Sequence, residues 1–405
     1  MYWHHKIMGI FGVVLLAGCA ITPTSQSQTQ PPTTEKTDTL CQNDLAAIDV
    51  NFHASRANHC QVQSPTSLTI TIDPENKPIN SSAWYAFRVS PSHAGTLRVN
   101  LKYSHAKHRY PPKISYDGVN WDVLDPAKIN EVSEDEISMR IPLKNRPIYV
   151  AAQEIFSVGA HNTWIEETEK LPFVSKSIIG SSIEGRPIYK LEAQVNSNIQ
   201  KPYVVFVGRQ HPPEVTGALA FMPFAETVLG DSKLAKNFRK KYDIILIPNM
   251  NPDGVTHGNW RHNMNGVDLN RDWGPFKQPE TQAIEKEFER FKNGDDEIVL
   301  FLDFHSTWRN LLYTQTDEEP TIPAFFTRDW LLAVDARLDD NVYKFTREAN
   351  KNSGKPVSKN YMYVTYGIPA ITYEVGDHTD RKSIAIAADI FAQEMMKLLL
   401  EHESK

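Results

Sequence analysis

From about residue 62 to residue 165, apolar and polar positions alternate with a period of two. Leu68, Ile70 and Ile72 are separated by Thr69 and Thr71; Leu97, Val99, Leu101 and Tyr103 by Arg98, Asn100 and Lys102; Ile137, Met139, Ile141 and Leu143 repeat the pattern. Side chains on a strand point alternately to its two faces, so each run predicts a half-buried strand. Trp84–Val89 and Pro147–Ala152 predict two more, with turn clusters at 91–95 and Asp117-Gly118 between them. Short strands without a helical period predict a β-sandwich of about one hundred residues. Beyond residue 170 the pattern changes. Apolar runs at Tyr203–Gly208, Tyr242–Pro248, Glu297–Phe304 and Ala370–Val375 read as buried strands. Helical spacing marks Gly217–Gly230, Pro279–Asn293, Asp329–Asn350 and Ser383–His402. This alternation predicts an α/β fold, a mixed sheet with helices on both faces, whose sites gather at the carboxyl ends of strands.

The N-terminus reads differently. Ile7–Ala17 is an apolar run too short to span a bilayer and of the right length for a secretory h-region. It closes on Leu16-Ala17-Gly18-Cys19, which resembles the bacterial lipoprotein box, where the signal is cut before the Cys and the thiol is acylated. Ala20, not Asp, follows the Cys, and in that resemblance this goes with outer-membrane sorting and a periplasm-facing position. Residues 19–40 are polar and carry prolines, and read as a disordered tether. The expected organisation is a signal peptide over 1–18, the tether over 19–40, the sandwich over 41–165 and the α/β domain over 166–405. Three cysteines occur, Cys19, Cys41 and Cys60. With Cys19 lipidated, an even pair remains in an oxidising compartment, and a Cys41–Cys60 disulfide is expected.

Composition narrows the function classes. The chain has 405 residues and a formal charge of −6, without a basic footprint for nucleic acid. Only one apolar run, Ile7–Ala17, stands out in length, which excludes a multi-span membrane protein. His105 and His108 lie in a Lys/Arg/Tyr-rich stretch with no third ligand nearby and read as a solvated loop.

Chemistry concentrates where the later strands end. Tyr203–Gly208 runs into Arg209-Gln210-His211-Pro212-Pro213-Glu214, and Pro212 keeps His211 extended rather than helical. Glu297–Phe304 delivers His305, and Ala370–Tyr373 delivers Glu374, a carboxylate costly to bury without a task or partner. His211, Glu214 and His305 make three borderline ligands for Zn²⁺ with a fourth position left for water, as in a catalytic site. No Cys lies past residue 60, which disfavours a structural site. The intervening loops hold Asn251-Pro252-Asp253-Gly254, Trp260-Arg261 and Asp268-Leu269-Asn270-Arg271, whose Arg and Asn residues suit a carboxylate clamp.

In this order the motifs resemble the zinc carboxypeptidase (funnelin) family over about 170–400, with the nearest likeness to its cytosolic-carboxypeptidase subfamily, whose members also carry a preceding β-sandwich. The resemblance implies that His211, Glu214 and His305 hold zinc and that Glu374 activates water. It implies that Arg261 stabilises the oxyanion, that Asn270 and Arg271 grip a terminal carboxylate, and that Asp268 orients His211. Two departures stand out. Digestive members carry an Arg inside His-x-x-Glu, where Pro212-Pro213 stand here, and the Tyr that closes over substrate has no clean match, Tyr363 being the candidate named. The side-chain-selecting position falls near Lys359-Asn360, where a basic residue favours an acidic terminal group. The expected activity is removal of C-terminal residues from protein tails or peptidoglycan stem peptides. The alternatives are a non-catalytic binding lipoprotein on the same fold and an N-acyl amino acid deacylase.

Overall fold

In the computed structural model, residues 39–402 are described, apart from 78, 196, 197, 199, 295, 352 and 353. The signal peptide, Cys19 and nearly all of the tether therefore lie outside the described residues. Among those described, no helix is long and apolar enough to cross a membrane.

Two sheets form the first layer pair. One runs in the order Thr39–Gln42, Ala46–Asp49, Ala86–Pro91, Ile148–Ala151, Lys113–Ser115 and Asp122–Val123. The other runs His59–Ser64, Ser67–Ile72, Gly95–Tyr103, Glu136–Leu143 and Ile129–Ser133. Alternation in the sequence becomes alternation in burial: Leu68, Ile70, Ile72, Val99, Leu101, Ile137 and Met139 are buried against Ile48, Phe87, Val89, Ile148 and Val150 of the facing sheet. Pairing is antiparallel except between Ser67–Ile72 and Gly95–Tyr103, which run parallel. Cys41 and Cys60 are joined by a disulfide with Cα atoms 5.7 Å apart.

The second part is an eight-stranded mixed sheet. Its order is Val174–Ser181, Pro187–Ala193, Asp243–Ile247, Tyr203–Gly208, Ile298–Thr307, Ala370–Gly376, Leu311–Thr314 and Thr346–Ala349. The four central strands are parallel. They are apolar on both faces because helices cover both. Val204, Phe206, Leu302 and Phe304 face helices Val215–Leu229, Phe326–Asp335 and Arg381–His402. Val205, Val207, Ile245 and Phe301 face Pro279–Lys292 and Ser358–Tyr366.

One element differs from expectation. The helix predicted over Asp329–Asn350 is instead Phe326–Asp335, and Thr346–Ala349 is a strand paired parallel to Leu311–Thr314. Asp339 breaks the helix: its Oδ1 accepts from Asn341 N at 2.8 Å and its carbonyl from Val342 N at 2.8 Å, a local turn that competes with helical pairing. Helix Ser358–Tyr366, the edge strand Val174–Ser181 and the strands Pro187–Ala193 and Leu311–Thr314 were not anticipated.

The sandwich and the α/β sheet belong to one compact unit. Val215 is part of the sandwich core, and Leu219 and Trp260 pack against it. Polar contacts reinforce the seam. Arg381 donates through Nε and Nη2 to the two oxygens of Glu154 at 2.6 and 2.8 Å, and Lys113 pairs with the same carboxylate. Burial opposes the charge of Glu154, but these cations hold its carboxyl down at about 2, below the ordinary 4.5. A depressed carboxyl contributes stability that is present above the unfolded value and lost as pH falls toward the folded one. Glu154→Gln should therefore destabilise the protein at pH 6 and much less at pH 3, read by denaturant unfolding at both pH values. A wild-type–variant gap that does not change with pH would contradict this pairing.

Candidate active site

Three strand ends and one helix start build the site. Strand Tyr203–Gly208 exits into a corner where Arg209 takes φ +57° and donates from Nε to the Pro212 carbonyl at 2.9 Å. The corner carries His211 and ends on Glu214, the N-cap of helix Val215–Leu229. A carboxylate there sits in the favourable field of the helix N-terminus. Strand Ile298–Thr307 places His305 one turn of pleat from its end, and its parallel neighbour Ala370–Gly376 pairs Glu374 directly with His305.

Helix and strand come unusually close here. A Cβ on Gly217 would lie 2.6 Å from the His305 carbonyl oxygen and 3.0 Å from its nitrogen. Glycine permits the approach, and Gly217 N donates to Ser306 Oγ at 2.7 Å. The result is convergence. His211 Nδ1 lies 2.8 Å from Glu214 Oε1, and His305 Nδ1 lies 2.7 Å from Glu214 Oε2. The ligand-capable atoms of the three residues all lie within 4.8 Å of one another. Each imidazole is backed by an acid on its other nitrogen: His211 Nε2 sits 2.9 Å from Asp268 Oδ1, and His305 Nε2 sits 2.9 Å from Asp303 Oδ2. Acids behind both rings fix ring orientation and tautomer, and with two imidazoles and a carboxylate the donor set fits a borderline divalent metal such as zinc.

Electrostatics follow from this packing. Burial works against the charge of Glu214, yet His211 and His305 hold its carboxyl well below the usual range. Burial also opposes charge on His305, but Asp303 and Glu214 lift it well above 6.5. Glu374 has a buried Oε2 with no hydrogen-bond partner among the described residues, and burial pushes its carboxyl up to about 7.

A cavity of about 630 Å³ opens over these groups. Arg261 lines it while its Nε donates to Asp268 Oδ2 at 2.6 Å. Asn270 lines it too; its Oδ1 accepts from Ser358 N at 2.9 Å and its Nδ2 lies 3.4 Å from His305 Nε2. Arg271, half-exposed, lines it beside Asn270. Tyr363 is the exception. It lies on helix Ser358–Tyr366, half-buried against the core around Phe288 and Met362, and is not in the cavity wall. The helix turns that residue toward the sheet's covering layer; Tyr313 lines the cavity instead.

Several residues at the site were not anticipated. Asp303 stands two residues before His305 on one face of a strand, a spacing that could have drawn attention to it. Lys351 and Lys355 join Lys359 in the cavity wall. The sandwich adds Arg109 and Tyr110, and its Glu75 accepts from the backbone N–H groups of Arg261 and His262 at 2.9 and 3.1 Å.

Comparison with known proteins agrees with this geometry. The model of the zinc carboxypeptidase family matches residues 161–394, more than half of the chain. The chain belongs to the zinc carboxypeptidase family. Zinc is the characteristic cofactor of these peptide hydrolases. Among curated relatives, the cytosolic carboxypeptidase 2 of Xenopus tropicalis is 30% identical over 138 residues, covering 34% of this chain and 14% of that protein. The cytosolic carboxypeptidase 6 of Caenorhabditis elegans is 25% identical over 169 residues, 40% of this chain and 37% of that protein. The matches thus span well under half the length of these relatives. Among solved structures, a metallo-carboxypeptidase from Burkholderia cenocepacia shares the fold with a TM-score of 0.73 at 19% identity, over 89% of this chain and 99% of its own. One from Pseudomonas aeruginosa does so with a TM-score of 0.71 at 21% identity, over 88% and 99%.

The close crossing at Gly217 makes a test. Gly217→Ala should push the helix off the His305 backbone, destabilise the protein by about 1–3 kcal/mol and weaken zinc retention, measured by denaturant unfolding and chelator competition. Unchanged values in both would refute the packing argument.

Proposed function

We propose that this chain is a metallocarboxypeptidase that hydrolyses the last amide of peptides with a free C-terminus, preferring an acidic terminal residue. One observation carries the reading: both Nδ1 atoms meet the two oxygens of Glu214 while strand register sets Glu374 beside His305. His211, Glu214 and His305 hold Zn²⁺ in this reading; zinc, when bound, polarises a carbonyl and lowers the pKa of water toward about 7. Glu374, with Oε2 unengaged, takes the proton of the attacking water and hands it to the leaving amine. Arg261, held on Asp268, offers its guanidinium to the oxyanion that develops on the scissile carbonyl. Asn270 and Arg271 receive the terminal carboxylate, and this makes the enzyme an exopeptidase.

Charge supports the acidic preference. Arg261, Arg271, Lys351, Lys355 and Lys359 line the cavity, against Glu214 and Glu374. Lys359 is buried; among the described residues its Nζ donates to the carbonyls of Thr314 and Asn350, each at 3.3 Å, and Glu319 favours its charge. An ammonium hydrogen-bonded to neutral carbonyls at the cavity wall suits an incoming acid.

A secretory signal with Cys19 lipidated places the enzyme on a membrane facing the periplasm, in an outer-membrane setting. The Cys41–Cys60 disulfide supports an oxidising compartment. Protein tails and peptidoglycan stem peptides both present free C-termini there.

Glu374→Gln should keep one zinc per chain and lose turnover by about 10²–10⁴-fold, checked by metal analysis and peptide hydrolysis; wild-type rates would remove Glu374 from the mechanism. His211→Ala should lose both metal and activity. Lys359→Met should lower kcat/KM for peptides ending in Glu by about 10–100-fold, the worth of one charge-assisted hydrogen bond, with little change for those ending in Leu. Parallel losses on both peptides would contradict the acidic preference.

A further inference from the structure

We propose that Arg109, delivered by the β-sandwich, binds the main chain of the substrate on the acyl side of the scissile bond; this rests on the carboxypeptidase reading above. Arg109 lies in the loop between strands Gly95–Tyr103 and Lys113–Ser115. With Tyr110 it is what the sandwich contributes to the wall of the cavity that holds His211, Glu214, His305 and Glu374.

The guanidinium is held in place. Its Nε donates to Asp377 Oδ2 at 2.8 Å, and Nη2 lies 2.7 Å from the same oxygen. Its carbon stands 5.1 Å from the centroids of both Trp260 and Tyr110. Asp377 follows directly on the strand that carries Glu374, and its N–H donates to the Thr307 carbonyl at 2.8 Å, two residues past His305. Arg109 is therefore tied to the two strand ends that present Glu374 and His305. Its Nη1 has no hydrogen-bond partner among the described residues.

Position assigns the part of the substrate. Asn270 is bonded to the start of helix Ser358–Tyr366, so Asn270, Lys355 and Lys359 form one continuous wall. That wall takes the terminal residue. Arg109, Tyr110 and Trp260 pack together in the wall of the same cavity, and in this proposal the residues before the scissile bond run past them. Charge assigns the chemistry. Asp377 already balances the guanidinium, so a second carboxylate would face an acid. The N–H groups left over, those of Nη1 among them, match a neutral acceptor, a peptide carbonyl. Such recognition ignores side chains and responds to peptide length.

Length is the test. Two substrates share their last two residues: an N-sulfonyl dipeptide, with no carbonyl before the scissile one, and a pentapeptide. The variant is Arg109→Lys, which keeps a cation for Asp377 but loses the fork, with Arg109→Met as a second variant and zinc content measured in each. Wild type should show a higher kcat/KM on the longer peptide. Both variants should lose about 10-fold more on the pentapeptide than on the dipeptide, with an added loss at both lengths for Arg109→Met because it leaves Asp377 unpaired. Equal losses at both lengths, or none on the pentapeptide, would overturn the proposal. Absence of turnover of both peptides by wild type would overturn the carboxypeptidase reading itself, and this proposal with it.

Discussion

The site depends on one constraint: a single carboxylate must meet two imidazoles, each held from behind by another acid. Glu214 can do this because it caps a helix whose first turn crosses the His305 backbone within the reach that Gly217 allows. Moving the helix outward would separate Glu214 from His305 without touching His211. The part-buried Asp268 and the buried Asp303 then keep both rings aimed inward, at the cost of holding charge largely out of water. The parallel register of the two central strands adds Glu374 to this cluster without any further loop.

Around that centre the sandwich acts as a structural part of the active site. Glu75 orders the backbone that presents Arg261, and Arg109 braces Asp377 just beyond Glu374. The loops that carry these residues come from strands whose own cores are apolar and complete. Rigid strands thus position polar groups on loops, the usual division between scaffold and site.

Much of this was legible in the sequence, and the reasons differ by region. Sandwich strands showed because one face is solvated, so Leu97–Tyr103 alternates cleanly. The central strands of the α/β sheet showed as apolar runs, and their polar ends flagged His211, His305 and Glu374. Strand Val174–Ser181 was missed because it is an edge strand with mostly polar, partly exposed positions. Asp303 was hidden inside an apolar run, where one acid reads as an exception until its face is compared with that of His305. The helix drawn through 329–350 failed because helical spacing outweighed a turn centred on Asp339. Arg109 could not be read at all: its partner lies 268 residues away, and no local pattern encodes that contact. Tyr363 has no clean motif match in the sequence, and its helix packs it against the core around Phe288 and Met362 and not in the cavity wall.

X-ray absorption at the zinc edge of the metal-loaded protein tests the central claim most directly. A site built from His211, Glu214 and His305 predicts one zinc per chain with two imidazole nitrogens, oxygen donors and no sulfur, and loss of one imidazole in His305→Gln. A spectrum with sulfur scatterers, or one that His305→Gln leaves unchanged, would contradict it.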